Sequence, residues 1–223
     1  MRASCLQARL TRWRALADWQ IATSRPYGEL YDRIDDVWGS TPGRLMSGVL
    51  GLSMKGHAVD LGCGEGRNTF AMVAQGFTVL AVDCDPVAIQ RLDQRRTDLV
   101  RSDSVVSMCS KSSVVYGMTH FQIVLAYGLL HCLDDAELDD LLVFCGKQAP
   151  GTVFAGSALT SELPIPNGHG TVDLYLRSAN SYRQALTRNF DVAYWETGTI
   201  TESHEPVVGR HTHSSAWFIA RVR

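Results

Sequence analysis

The stretch Val59-Asp60-Leu61-Gly62-Cys63-Gly64-Glu65-Gly66-Arg67-Asn68 decides how this chain is read. A short apolar run, Ala58 to Leu61, leads into three glycines at alternate positions, and a helical pattern from about Asn68 to Ala74 follows. Glycine has no Cβ, so a backbone built from it turns sharply between strand and helix and lies close against a ligand, with amide donors to offer. A second buried run, Phe77 to Val82, ends on Asp83, nineteen residues after Gly64. A carboxylate at that place can accept both hydroxyls of a ribose.

Outward from this stretch, strands and helices alternate. Pro86 opens a helix through Leu92, in the first-turn position that proline favours. Val105 to Met108 is a third strand, and Phe121 to Ala126 a fourth, nearly all apolar as a strand covered on both faces should be. The acidic start Asp134-Asp135-Ala136-Glu137 suits the positive end of a helix whose apolar face is Leu138, Leu141, Leu142 and Cys145. Thr152 to Ala155 is a fifth strand, a helix lies around Ser181 to Thr187, and strands at about 190–196 and 214–222 close the chain. This order predicts an α/β fold with a mostly parallel sheet, whose ligand binds beyond the carboxyl ends of the strands. Ahead of the core, Tyr31 to Trp38 reads as a short aromatic helix and Arg44 to Leu52 as another. The first twenty residues read as an Arg-rich amphipathic helix with Leu6, Leu10 and Trp13 on one face.

Composition narrows the class. The chain has 223 residues, 45% hydrophobic and 20% charged, enough for one domain with a good core. A net charge of -2 supplies no broad basic field for nucleic acid. No apolar run reaches the roughly 18 residues of a membrane span. The six cysteines, at 5, 63, 84, 109, 132 and 145, form no C-x-x-C pair and match neither a disulfide framework nor a zinc finger. Reduced thiols in the cytoplasm are the simplest account, although the N-terminal pattern also fits a mitochondrial presequence.

Two nucleotide sites compete for the glycine loop. A dinucleotide site wants G-x-G-x-x-G, and here the sixth position is Arg67, which would crowd helix against strand. A phosphate-binding P-loop is excluded because no G-K-[ST] follows. The G-x-G-x-G form with Asp60 two residues ahead resembles the first motif of class I S-adenosylmethionine-dependent methyltransferases. The resemblance runs from about residue 56 to 157: Ala81 to Pro86 looks like the second motif, and Ile123 to His131 like the fourth strand and its turn. It implies a Rossmann-like, seven-stranded, mostly parallel sheet with helices on both faces and an antiparallel C-terminal strand. Residues 1–55 would be an N-terminal helical cap and 56–223 the methyltransferase domain. It further implies S-adenosyl-L-methionine as cofactor and S-adenosyl-L-homocysteine as product. Asp60, Gly62, Cys63, Gly64 and Gly66 would hold the methionine end, Asp83 the ribose, and Cys84 would lie beside the adenine. Tyr127 would border the sulfonium. The chain departs from the family where an acid often contacts the adenine amine; Cys109-Ser110-Lys111 stands there, so Ser110 or a backbone carbonyl would serve. Gln122 replaces the acid that commonly precedes the fourth strand. The head and tail look loosely like the tellurite-resistance and thiopurine type.

For the transfer itself, His131 after the fourth strand is the first candidate for a base, against a purely structural role. Tyr27, Tyr31 and His169 are candidate acceptor contacts, with Trp38 either in that pocket or packed on the sheet edge. His204, His211 and His213, with Glu202 and Glu205, fit no closed zinc spacing, so no metal is expected; His211 or His213, on one strand face, would instead face the substrate. Cys63 and Cys84 read as small packing residues, and Arg91, Arg95 and Arg96 as a solvated helix face. The expected function is methyl transfer to a small-molecule acceptor. An RNA or protein acceptor, or a catalytically silent nucleotide-binding partner subunit, is the alternative.

Overall fold

The computed structural model describes residues 25, 27–52, 55–97, 102–164 and 174–223. The amphipathic reading of the first twenty residues and the expected contact at His169 lie outside them. The elements are α1 (Gly28–Arg33), α2 (Met46–Leu52), β1 (His57–Leu61), α3 (Arg67–Ala74), β2 (Thr78–Asp83), α4 (Pro86–Arg96), β3 (Val105–Cys109), β4 (Ile123–Tyr127), α5 (Asp135–Gly146), β5 (Val153–Leu159), α6 (Ala179–Asn189), β6 (Phe190–His204) and β7 (Val208–Val222). Among the described residues, seven strands form one sheet in the order β3-β2-β1-β4-β5-β7-β6. β1 to β5 run parallel, and β7 is antiparallel to both β5 and β6. This is the expected doubly wound sheet. Its strand order reverses between β1 and β4, where such sheets open a crevice for ligand.

Side-chain alternation along the parallel strands feeds two apolar layers. Val59, Leu61, Leu80, Val82, Val106 and Val124 pack towards α5 and α6, with Leu141, Phe144 and Leu186. Ala58, Val79, Ala81, Ile123 and Leu125 pack on the other side with Met72, Val73 and Leu92 of α3 and α4. The helices are capped where their sequences promised. Asp85 accepts from the amides of Val87 and Ala88 ahead of α4, and Asp134 and Glu137 form a reciprocal capping box on α5.

Three expectations need correction. The aromatic helix expected at Tyr31–Trp38 lies earlier, at Gly28–Arg33, and the chain from Ile34 to Gly43 is irregular. The reason is that its backbone groups bond outward. Ile34 O accepts from Arg91, Val37 N donates to Glu65, Trp38 O accepts from Arg67, and Gly43 N donates to Asn68. The same bonds overturn the solvated arginine face. Arg91 reaches Tyr31 O, Ile34 O and Glu65, Arg95 reaches Asp36 and Glu65, and Arg96 donates to Val105 O. The two closing strands are also longer than their apolar cores, running through polar residues that satisfy each other across the hairpin ladder. The hairpin tip joins Val208 to a small cluster with Leu30, Tyr31, Val37 and Ala88, so cap, α4 and hairpin share one apolar contact.

Candidate active site

A cavity of about 820 Å³ opens beyond the carboxyl ends of β1 to β5. Its floor is the glycine loop. The amides of Gly62 and Cys63 donate to Val82 O at 2.8 and 3.1 Å, and Gly66 N donates to Cys63 O. Gly64 N donates to the Asp83 carboxylate at 2.8 Å. These loop amides are therefore engaged within the protein, and the loop offers close backbone approach rather than the donors expected of it. Gly64 requires glycine on two counts: φ is +54°, and a Cβ there would stand 2.9 Å from the Tyr31 hydroxyl. Gly66, at φ +92°, starts α3 in a left-handed conformation and does not line the cavity.

Of the residues expected from sequence, Tyr27, Tyr31, Gly62, Cys63, Gly64, Asp83, Cys84, Ser110, Tyr127 and His131 line this one cavity. Asp60 does not. It is 1% exposed, stands behind the loop and accepts from Thr69 Oγ1 at 2.6 Å, tying β1 to the first turn of α3. His211 is also absent from the wall, whereas Glu202 and His204 of the same hairpin form part of it. Glu65 was missed: a carboxylate 2% exposed inside the loop, it takes Arg91 at 2.8 Å and the Val37 amide at 3.1 Å. A charged residue between glycines was the signal, and its partners lie on another helix and in the cap.

Burial sets the site's electrostatics. It pushes Asp83 up to about 6, against the amides of Asp85 and Gly64 that hold it down. Asp60 is pushed up to about 7, by burial first, with the Thr69 hydroxyl opposing and the Asp83 charge adding. Burial likewise raises the Cys84 and Cys132 thiols to about 12, so both are neutral at ordinary pH, as packing residues should be. Ser110 Oγ is buried on the cavity wall and has no hydrogen-bond partner among the described residues. It sits just after β3, and Asp83 pairs with Cys109 across the β2–β3 ladder. A carboxylate and an unsatisfied hydroxyl, side by side above a side-chain-free loop, suit a nucleoside with an amino-acid tail.

The roof is aromatic. Trp38 Nε1 donates to Tyr31 Oη at 2.7 Å, and Tyr27 meets Trp38 edge-on at 5.4 Å. His131, 3% exposed, accepts at Nδ1 from the Leu159 amide at 3.1 Å. A neutral ring then carries its proton on Nε2, which lies 2.8 Å from Tyr27 Oη and donates to it. In that tautomer neither nitrogen has a lone pair turned to the cavity, so His131 is arranged to orient Tyr27 rather than to take a proton.

Residues 58–145 match the family model described as a methyltransferase domain. That stretch of the chain is similar to a methyltransferase domain. Several solved structures share the fold. TehB from Haemophilus influenzae is 14% identical with a TM-score of 0.66, over 80% of this chain and 61% of that one. The N-methyltransferase NodS from Bradyrhizobium japonicum WM9, in complex with S-adenosyl-l-homocysteine, is 14% identical with a TM-score of 0.60, over 89% and 99%. A SAM-dependent methyltransferase from Methanosarcina mazei is 12% identical with a TM-score of 0.61, over 82% and 98%. No curated protein matches the chain by sequence. Among the described residues, no helix is long and apolar enough to cross a membrane.

Proposed function

We propose that this chain transfers a methyl group from S-adenosylmethionine to a small-molecule acceptor held beneath the aromatic roof, in the cytoplasm, with residues 1–55 serving as cap. The observation that carries the acceptor class is the cavity's build. About 820 Å³ is walled on the floor by the glycine loop and roofed by Tyr27, Tyr31 and Trp38. That is the size of a chamber for a nucleoside and a small partner, not of a surface for folded RNA or protein.

The cofactor, when bound, supplies a methyl group already activated on a sulfonium. Asp83 accepts the ribose hydroxyls, Ser110 Oγ bonds the adenine, Cys84 packs beside it, and the backbone from Gly62 to Gly64 lies along the amino-acid portion. Tyr127 borders the acceptor side. With donor and acceptor aligned in line, the residues' main work is orientation and exclusion of water. Tyr27, held by His131, and Tyr31, held by Trp38, do this from above.

Titration calorimetry with S-adenosylhomocysteine tests the cofactor half. Wild type should bind, and Asp83→Ala should lose roughly 100-fold, the worth of two hydrogen bonds to a charged acceptor. Equal affinity in the variant would mean the ribose lies elsewhere. Methyl-labelled donor incubated with cell extract tests the acceptor half: label should appear in the small-molecule fraction, and label confined to RNA or protein would overturn it.

A further inference from the structure

The β6–β7 hairpin carries a cluster that methyl transfer as described leaves unused. Glu202 and His211 face each other across the ladder, His213 shares the face two residues on, and His204, two residues from Glu202 on its own strand, comes to the same side. His204 Nε2 lies 3.3 Å from Glu202 Oε1, and His211 Nε2 lies 3.7 Å from it. One donor atom from each of Glu202, His204 and His211 falls within 4.8 Å of the other two. Metal–ligand bonds of about 2.0–2.2 Å in a tetrahedral site put donor atoms roughly 3.3–3.6 Å apart, so the three need only a small closure around an ion. His211 is also set up from behind. Its Nδ1 donates to Gly209 O at 2.6 Å, which leaves the lone pair on the Nε2 that points at Glu202. Such a backbone brace fixes the tautomer and aim of metal-binding histidines. The side chains of His204 and His211 are 6% and 5% exposed, so water does not crowd the nitrogens.

We infer that Glu202, His204 and His211 bind one divalent transition-metal ion, Zn²⁺ by the donor set, on the wall of the acceptor cavity. Two imidazoles and a carboxylate suit a borderline ion and are poorly matched to Mg²⁺ or Ca²⁺. Three protein ligands leave a position open. Glu202 and His204 line the cavity, and Trp38 of its roof packs edge-on against His204 at 5.3 Å. The open position therefore serves an acceptor's oxygen, nitrogen or sulfur; this last use rests on the methyl-transfer reading, while the metal site does not. His213, edge-on to the His211 ring at 4.5 Å and with its Nε2 3.2 Å from Glu202 Oε1, braces the carboxylate.

The test is calorimetric titration of the chelator-treated full chain with ZnCl₂. Wild type should bind one equivalent, and Glu202→Gln and His211→Ala should each weaken it by more than about 100-fold. X-ray absorption of the zinc-loaded wild type needs no variant: nitrogen and oxygen at about 2.0–2.2 Å are expected, whereas a sulfur shell near 2.3 Å places zinc on cysteine and overturns the site. No binding by wild type, or binding unchanged in both variants, also overturns it. S-adenosylhomocysteine titrated into the same samples keeps the two readings apart. Its retention with no zinc bound sinks only the metal, and its loss in wild type sinks the cofactor site.

Discussion

Asp60 and Asp83, on neighbouring strands, are both carboxyls whose burial holds the proton on past its ordinary range, to about 7 and about 6. The consequences differ because only Asp83 lines the cavity. In the proposed complex, ribose hydroxyls would donate to its ionised form and so lower its pKa. Binding of S-adenosylhomocysteine near pH 6 should release protons, and affinity should rise from pH 5 to 7. Calorimetry in buffers of different ionisation enthalpy reads this directly, and zero proton release would remove Asp83 from the sugar. For Asp60 the linkage is to folding. A raised native pKa gives stability that is fully present below the unfolded value near 4 and is lost as pH climbs through about 7. Asp60→Asn keeps an acceptor for Thr69 and removes the buried charge. It should therefore melt above wild type at pH 8, by on the order of 2–4 kcal/mol, with the gap closing towards pH 4. Asp83 was legible in the sequence because strand end and carboxylate coincide. That Asp60 stands behind the loop was not, since one residue's alternation decides which face of β1 it takes.

At the scale of elements, α4 shows how charge can hold a cap. Arg91 and Arg95 converge on Glu65 while also reaching Tyr31 O, Ile34 O and Asp36, so helix, glycine loop and cap meet at one carboxylate. Arg25 adds a second strap, bonding both Asp32 of α1 and the buried Asp85 that caps α4. Removing one partner of a buried pair leaves the other charge uncompensated. Glu65→Ala should cost about 3 kcal/mol in a denaturant melt and loosen α1 from α4, seen as faster amide exchange over residues 28–38. A melt unchanged from wild type would show that the apolar cluster alone holds the cap. An arginine-rich helix face reads from sequence as solvated because periodicity reports which side is polar, not what lies opposite. The β6–β7 hairpin was under-read for a related reason. Its outer half is polar, and only cross-strand pairing together with Val208's contact to the cap shows that it is ordered.

For the whole molecule, the alternation of strands and helices, the mostly parallel sheet and a site beyond its carboxyl ends follow from local signals that agree with one another. Apolar runs of strand length, glycines between strand and helix, Pro86 and Asp134 at helix starts, and Asp83 at a strand end all act within a few residues of themselves. These are what the sequence by itself determined, because strand burial, turn geometry and helix capping are short-range. The tertiary structure alone decided the rest: Tyr27 on His131, 104 residues apart; Glu65 between Arg91 and the cap; and Glu202, His204 and His211 drawn together at a hairpin tip. Each of these depends on segments far apart in the chain, or across a shifted ladder, arriving at one place. Only packing the sheet, the cap and the hairpin against one another fixes that arrival.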